Sequence, residues 1–155
     1  MWGQFLRFRA LDPEAQKLFL RAAALLLLVG ISLHTRGYKK TQDWLQKRLR
    51  KQKVSKPTVG LDLDLLGVTC RMVRAAEHHA LIRSTCLEES LTLWYLLGQQ
   101  NIATRVRIGV RKQTEKFEAH AWVEHGGKAL MQSEEMHRHF APFEGGSPSL
   151  PAEKL

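Results

Sequence analysis

Thr85-Cys86-Leu87-Glu88 sets a thiol between a hydroxyl that can cap a helix and a carboxylate three residues beyond that hydroxyl. The pair has the spacing of a capping box, in which the hydroxyl accepts from the amide three residues on and the carboxylate reaches back to the cap amide. Cys86 is thereby predicted at the first helical position. There the unpaired amides and the positive end of the helix dipole favour a thiolate, the nucleophilic form of cysteine. The same amides provide a donor for the oxyanion of a tetrahedral intermediate. A free cysteine is also a small residue that cores readily bury, so position alone leaves two readings, a nucleophile or a structural thiol.

A nucleophilic thiol needs a base, and the base needs a third group to orient it. Among seven histidines the best placed is His120, in the middle of the alternating segment "FEAHAWVEH". It shares one face with Glu118, Trp122 and Glu124, opposite Phe117, Ala119, Ala121 and Val123. Alternation by itself does not show that this face meets Cys86. The third group is expected on the next strand, because side chains on neighbouring antiparallel strands stand about 5 Å apart. The chain offers Gln132 there, with Glu134 and Glu135 just beyond. A glutamine oxygen can accept from an imidazole and set its tautomer, but it has no charge to place against an imidazolium. Trp122, Trp94 and Leu91 read as core or pocket wall, and Cys70 as a structural thiol inside a helix. His34, His78, His79, His125, His137 and His139 read as solvated, and no metal site or cofactor is expected, since neither ligand spacing nor a phosphate-binding loop is present.

The elements that must position these groups follow from periodicity and caps. Asp12-Pro13-Glu14 predicts a helix start, with the helix running to about Leu33, and a second helix is predicted from about Tyr38 to Lys51. Pro57 and Gly60 mark a linker over 54–60. A third helix is predicted from Asp62 to about Arg83, with Leu66, Val73, Ala76 and Ala80 as its stripe. The helix that opens at Cys86 turns Leu87, Leu91, Trp94 and Leu97 inward, and Gly98 is expected to close it. After it the period falls to two. "IATRVRIGVRK" alternates Ile102, Thr104, Val106, Ile108 and Val110 against Ala103, Arg105, Arg107, Gly109 and Arg111. "QTEK" connects it to "FEAHAWVEH", and Gly126-Gly127 turns into a short third strand, "KALMQ". The fold class is α+β, a cysteine-bearing helix followed by an antiparallel meander of about three strands, with a helical region in front.

Size and charge bound the rest. A chain of 155 residues, 44% hydrophobic, suits a single domain of ordinary size. Two cysteines in different segments predict neither a disulfide framework nor a zinc site, and a reducing cytoplasm is the expected location. The N-terminus has no apolar stretch of the signal-peptide kind. Residues 18–33 are strongly apolar but contain Arg21, and their 16 residues fall short of the about 20 that a bilayer requires. They read as a buried or interfacial helix, with membrane contact the less favoured alternative. The formal charge is +9, and basic residues are dense from Arg36 to Lys56. No nucleic-acid module or aromatic stacking platform accompanies them, so nucleic acid is not expected as a partner. The run reads as a solvated face or an electrostatic surface for acidic protein, peptide or lipid.

"TCLEESLTLWYLL", "RIGVRK", "FEAHAWVEHGGKAL" and "HFAPFEGG", in this order, resemble the transglutaminase-like cysteine peptidases of lasso-peptide biosynthesis. These are the leader-removing B proteins, specifically the protease half found where that protein is split in two. The resemblance extends over about residues 5–145, is strong over 84–145 and is only compositional before residue 60. It implies a transglutaminase/papain-like core over 61–145, a basic helical region over 1–53 and a flexible tail over 146–155. It also implies a Cys-His-Asp triad, with Cys86 matching the nucleophile and His120 the general base. The family's aspartate, twelve residues beyond the histidine, is matched by Gln132. The implied partners are a precursor peptide, a separate leader-recognition protein and a lasso cyclase, and the implied activity is removal of the leader. A catalytically silent transglutaminase-like protein that binds a peptide or scaffolds a partner is the alternative.

Overall fold

The computed structural model describes residues 12–51, 62–80, 83–113, 116–132 and 140–142. The linker expected at 54–60, Glu134, Glu135, His137, His139 and the expected tail at 146–155 lie outside them.

Helix α1, Pro13–Lys51, starts as its sequence predicts. Asp12 Oδ2 accepts from the Glu14 amide at 3.3 Å and the Asp12 carbonyl accepts the first helical bond from Gln16. The two helices expected over this stretch are joined through one non-helical residue, Gly37, at φ 75° and ψ 174°. That region of backbone space is essentially reserved for glycine. The Ser32 and Thr41 hydroxyls stand 2.9 Å apart in the interior. Nine residues of straight helix would separate them by about 13 Å, so the axis turns sharply at Gly37. Thr41 Oγ1 donates to the Gly37 carbonyl at 2.9 Å, which leaves Ser32 as the donor to Thr41 and ties the corner to both arms.

Helix α2 is Asp62–His78 and helix α3 is Cys86–Gln99. The expected end of α2 near Arg83 is corrected to His78. The Ala80 amide reaches only the Glu77 carbonyl, a tightened final turn, and Ala80 itself is exposed. The end of α3 is corrected as well, because Gly98 remains helical and the left-handed residue is Asn101, at φ 61°. Asn101 donates to the Gly98 carbonyl and Ile102 to that of Leu97, the paired bonds of a Schellman motif. Asparagine tolerates the left-handed region, and the motif delivers Ile102 into the core, where it is 3% exposed.

Every residue of α3 from Ser90 to Leu97 is buried. Around it pack Leu18, Ala22, Leu26 and Val29 from the first arm of α1, Leu45 from the second, Met72, Val73 and Ala76 from α2, and Val106 and Val123 from the sheet. At about 1.5–3 kcal/mol for each large apolar side chain removed from water, this single cluster is the main source of stability.

The sheet contains β1, Arg105–Gln113, β2, Lys116–His125, β3, Lys128–Leu130, and β4, Ala141–Pro142, in the order β3-β2-β1-β4 with all pairings antiparallel. Strand β4, which adds to the expected meander of three, is only two residues long, and Pro142 opposes Gly109 on the outer edge of β1. Gly126 and Gly127 both have positive φ, 56° and 79°, as a two-residue hairpin turn between β2 and β3 demands. The alternation expected for β1 holds through Val106 and then inverts. Val110 is 36% exposed, whereas Gly109 is buried beneath Phe140 and Trp122. The outer face of the sheet is therefore covered at its centre, and the architecture is α+β with helices on one side.

Replacing Gly37 with alanine should lower the unfolding free energy by about 1–3 kcal/mol, the usual cost of a residue with a side chain in such a backbone region. Urea denaturation followed by circular dichroism measures it, and an unchanged midpoint would mean that the corner is not held at that φ and ψ in solution.

Candidate active site

Cys86 occupies the first position of α3, half-buried, behind the capping box that its flanking residues predict. The Glu88 amide donates to Thr85 Oγ1 at 3.3 Å and the Thr85 amide to Glu88 Oε2 at 2.7 Å. Helix α1 braces this cap from the other side. A Cβ added at Gly30 would lie 3.2 Å from Glu88 Oε1, so the bare backbone of Gly30 lets α1 approach the carboxylate closely. The cysteine is thus held by local hydrogen bonds and by a long-range helix contact together.

His120 and Gln132 are brought together, with His120 Nε2 2.6 Å from Gln132 Oε1. An amide oxygen only accepts, so Nε2 carries the proton in the neutral ring and Nδ1 is the basic nitrogen. The ring lies between two aromatics. Trp122 stacks beside it at a centroid distance of 6.2 Å and an angle of 20°, and Phe140 sits at 5.3 Å. Each aromatic is itself held. Trp122 Nε1 donates to Glu124 Oε1 at 3.0 Å while Arg107 Nε donates to Glu124 Oε2 at 3.0 Å. On the other flank the Arg111 guanidinium covers the Phe140 ring at 4.8 Å and pairs with Glu118 at 2.6 Å. Glu118, His120, Trp122 and Glu124 thus leave the strand on one face, as their spacing predicts, and form with Arg107, Arg111 and Phe140 a continuous polar and aromatic layer.

Gly109 is the floor of that layer. It opposes His120 in the β1–β2 register, and an added Cβ would come within 2.8 Å of Phe140 Cβ and 2.9 Å of the Trp122 ring. The position of Gln132 depends on a left-handed residue before it, Met131 at φ 65°, whose carbonyl accepts from the Arg74 guanidinium of α2.

Glu89 is a candidate that the sequence reading does not single out. It lies three residues after Cys86, on the same side of α3, and lines a small cavity together with Trp122 and Gln132. Burial raises its pKa, as does the like charge of Glu77, and the nearby Arg74 and His120 oppose the rise. The i, i+3 spacing from Cys86 was the available signal, but a glutamate in a first helical turn is so commonly a dipole partner that the spacing alone does not distinguish it. Helix α3 packs on β2, and His120 is one of the charges that act on Glu89.

Cys70, inside α2, has the half-buried setting expected of a structural thiol. Burial pushes its pKa up to about 11 despite the proximity of Arg74 and Arg71. A cleft of about 350 Å³, lined by Thr104, Arg105, Arg107 and Glu124, opens toward the Gly126-Gly127 turn and shares Arg107 and Glu124 with the polar and aromatic layer. Among the described residues no group of three or more His, Cys, Asp or Glu side chains is gathered as metal ligands.

Comparison with known families places these residues in context. The model of the transglutaminase-like superfamily matches residues 25–144, a span that starts inside α1 and contains Cys86, His120 and Gln132. No curated protein and no solved structure matches the chain.

The contacts at Gly109 predict that Gly109→Ala will cost about 1–3 kcal/mol of stability through overpacking against the two rings. A urea titration of the variant tests this, and a loss of less than a few tenths would show that Phe140 and Trp122 move aside freely.

Proposed function

The chain belongs to the transglutaminase-like superfamily, and from that membership we propose that it is a cysteine peptidase in which Cys86 is the nucleophile, His120 the general base and Gln132 the residue that orients the imidazole. The observation that carries this reading is the 2.6 Å contact between His120 Nε2 and Gln132 Oε1, which supplies the orienting bond although no carboxylate occupies that position. Cysteine peptidases tolerate an amide in this role.

In the proposed reaction His120 Nδ1 takes the thiol proton as Cys86 Sγ adds to the scissile carbonyl. The Cys86 amide at the open end of α3 donates to the oxyanion. Collapse of the tetrahedral intermediate breaks the C–N bond, the imidazolium protonates the leaving amine, and a thioester remains. His120 then activates water to hydrolyse the thioester and restore the thiol. Gln132 fixes the tautomer without stabilising the imidazolium by charge. Glu89 provides that charge in this reading, from the helix side rather than from the neighbouring strand. Its carboxylate is held in a half-buried setting that disfavours ionisation, and the imidazolium is one of the two cations that favour it.

The resemblance to leader-removing peptidases supports a finer assignment, cleavage at the leader–core junction of a ribosomally made precursor of the lasso type. A separate protein would deliver the leader and a cyclase would take the core. The neutral Gln132 also supports a second reading, a silent member that binds peptide without cleaving it. Cys86 chemistry separates the two.

Two outcomes are expected. With Cys70→Ser in every background, iodoacetamide should label wild-type Cys86 near neutral pH at least roughly tenfold faster than it labels Cys86 in His120→Ala, with Gln132→Ala between them; equal rates in all three would favour the silent reading. Glu89→Gln should slow labelling yet raise thermal stability at neutral pH. The sign follows from the raised folded-state pKa of Glu89, since the folded protein favours its protonated form and the ionised carboxylate costs stability above that pKa. A variant that labels as fast as wild type would remove Glu89 from the site.

A further inference from the structure

The first arm of α1 is apolar on both sides. Its inner side, Leu18, Ala22, Leu26 and Val29, belongs to the core. Its outer side carries Leu20, Leu27, Leu28 and Ile31, which are 59%, 58%, 49% and 56% exposed, with exposed Ala24 between them. Successive turns of one helix thus present a ridge of large aliphatic side chains to solvent. An 18-residue window of α1 reaches a mean hydropathy of 1.9.

The end of this ridge beyond Ile31 is cationic. Lys17, one turn before Leu20, is paired with Glu14 at 2.8 Å, whereas exposed Arg36, Lys39 and Lys40 follow Ile31, after which the second arm adds Lys47, Arg48, Arg50 and Lys51. An aliphatic ridge that runs into ammonium and guanidinium groups has the composition of a helix that lies in a lipid–water interface, with aliphatic groups among the acyl chains and cations at the headgroups. We propose that the outer face of α1 before Gly37 is a docking surface for an anionic phospholipid bilayer.

The helix lies on the bilayer rather than across it. From Leu20 to Ile31 the ridge is about 16 Å long, half of a hydrocarbon core of about 30 Å. The inner side is committed to the protein core, and the Arg21 guanidinium donates to Gln99 Oε1 on α3, so the arm cannot leave the domain to span a membrane. A second copy is the competing occupant of an aliphatic ridge. The density of cations from Arg36 to Lys51 favours anionic headgroups, which complement that cluster and the basic second arm together. Because Gly30 of this arm abuts Glu88 of the cap, docking would hold Cys86 within about one helix diameter, roughly 10 Å, of the lipid surface.

The test is flotation of the full chain with neutral phosphatidylcholine vesicles and with vesicles containing about a quarter phosphatidylserine, at about 50 and about 300 mM salt. The expected result is binding to the anionic vesicles only, weakened at least roughly fivefold at the higher salt. Leu27→Gln with Ile31→Gln should abolish it, and Lys39→Glu with Lys40→Glu should weaken it strongly, while circular dichroism melts confirm that both variants fold. Absence of binding would overturn the proposal, as would binding that neither pair of substitutions alters. A concentration-dependent rise in mass without vesicles, lost in the Leu27→Gln, Ile31→Gln variant, would also overturn it and assign the ridge to a second copy.

Discussion

The burial of α3 is the constraint from which the rest of the structure follows. Eight consecutive residues, Ser90 to Leu97, are buried, and a helix that is apolar or small on all sides must be surrounded. Both arms of α1, together with α2 and the inner face of the sheet, supply the surround, converging on Trp94 and its neighbours. What remains open is the N-terminal end, where the Thr85–Glu88 box satisfies two amides and leaves Cys86 half-buried at the boundary between core and solvent. A rigid, buried helix with one accessible end is a suitable mount for a thiol, because the mount costs little flexibility and the end carries the amides and the positive dipole.

The second organising feature is the layer on the outer face of the sheet. His120 is held by Gln132, Trp122 and Phe140, and those aromatics are held by Glu124 with Arg107 and by Arg111 with Glu118. The ion pairs are part-exposed, and pairs of that kind contribute about 0–1 kcal/mol each to stability. Their larger consequence is geometric, since each fixes a ring that in turn limits the imidazole. Gly109 makes the layer possible by giving up its side chain at the point where Trp122 and Phe140 converge.

In the proposed reaction two tasks that one aspartate could perform fall to separate residues. Gln132 would orient the imidazole, and charge would be left to Glu89 on the helix side, where burial opposes the influence of Arg74 and His120.

Local patterns in the chain were sufficient for the start of α1 at Asp12, the placement of Cys86 at the first position of α3, the β1–β2 hairpin and the shared face of His120, Trp122 and Glu124. Each depends on residues a few positions apart, so hydrogen-bond geometry and periodicity read directly from the order of side chains. The closeness of Gln132 to His120 follows only in part from strand adjacency, since β3 ends at Leu130 and the left-handed Met131 precedes the glutamine. Other features depended on contacts that no local pattern encodes. The burial of Gly109 follows from Phe140, more than thirty residues away, settling on the outer face of β1. Asn101 rather than Gly98 ends α3 because the Schellman turn places Ile102 in the core. Glu89 becomes a candidate only because α3 packs against β2, and the aliphatic ridge of α1 is outward only because the opposite side faces α3. The order of residues thus determined which groups share a helix turn or a strand face, and long-range packing decided which of those faces meet.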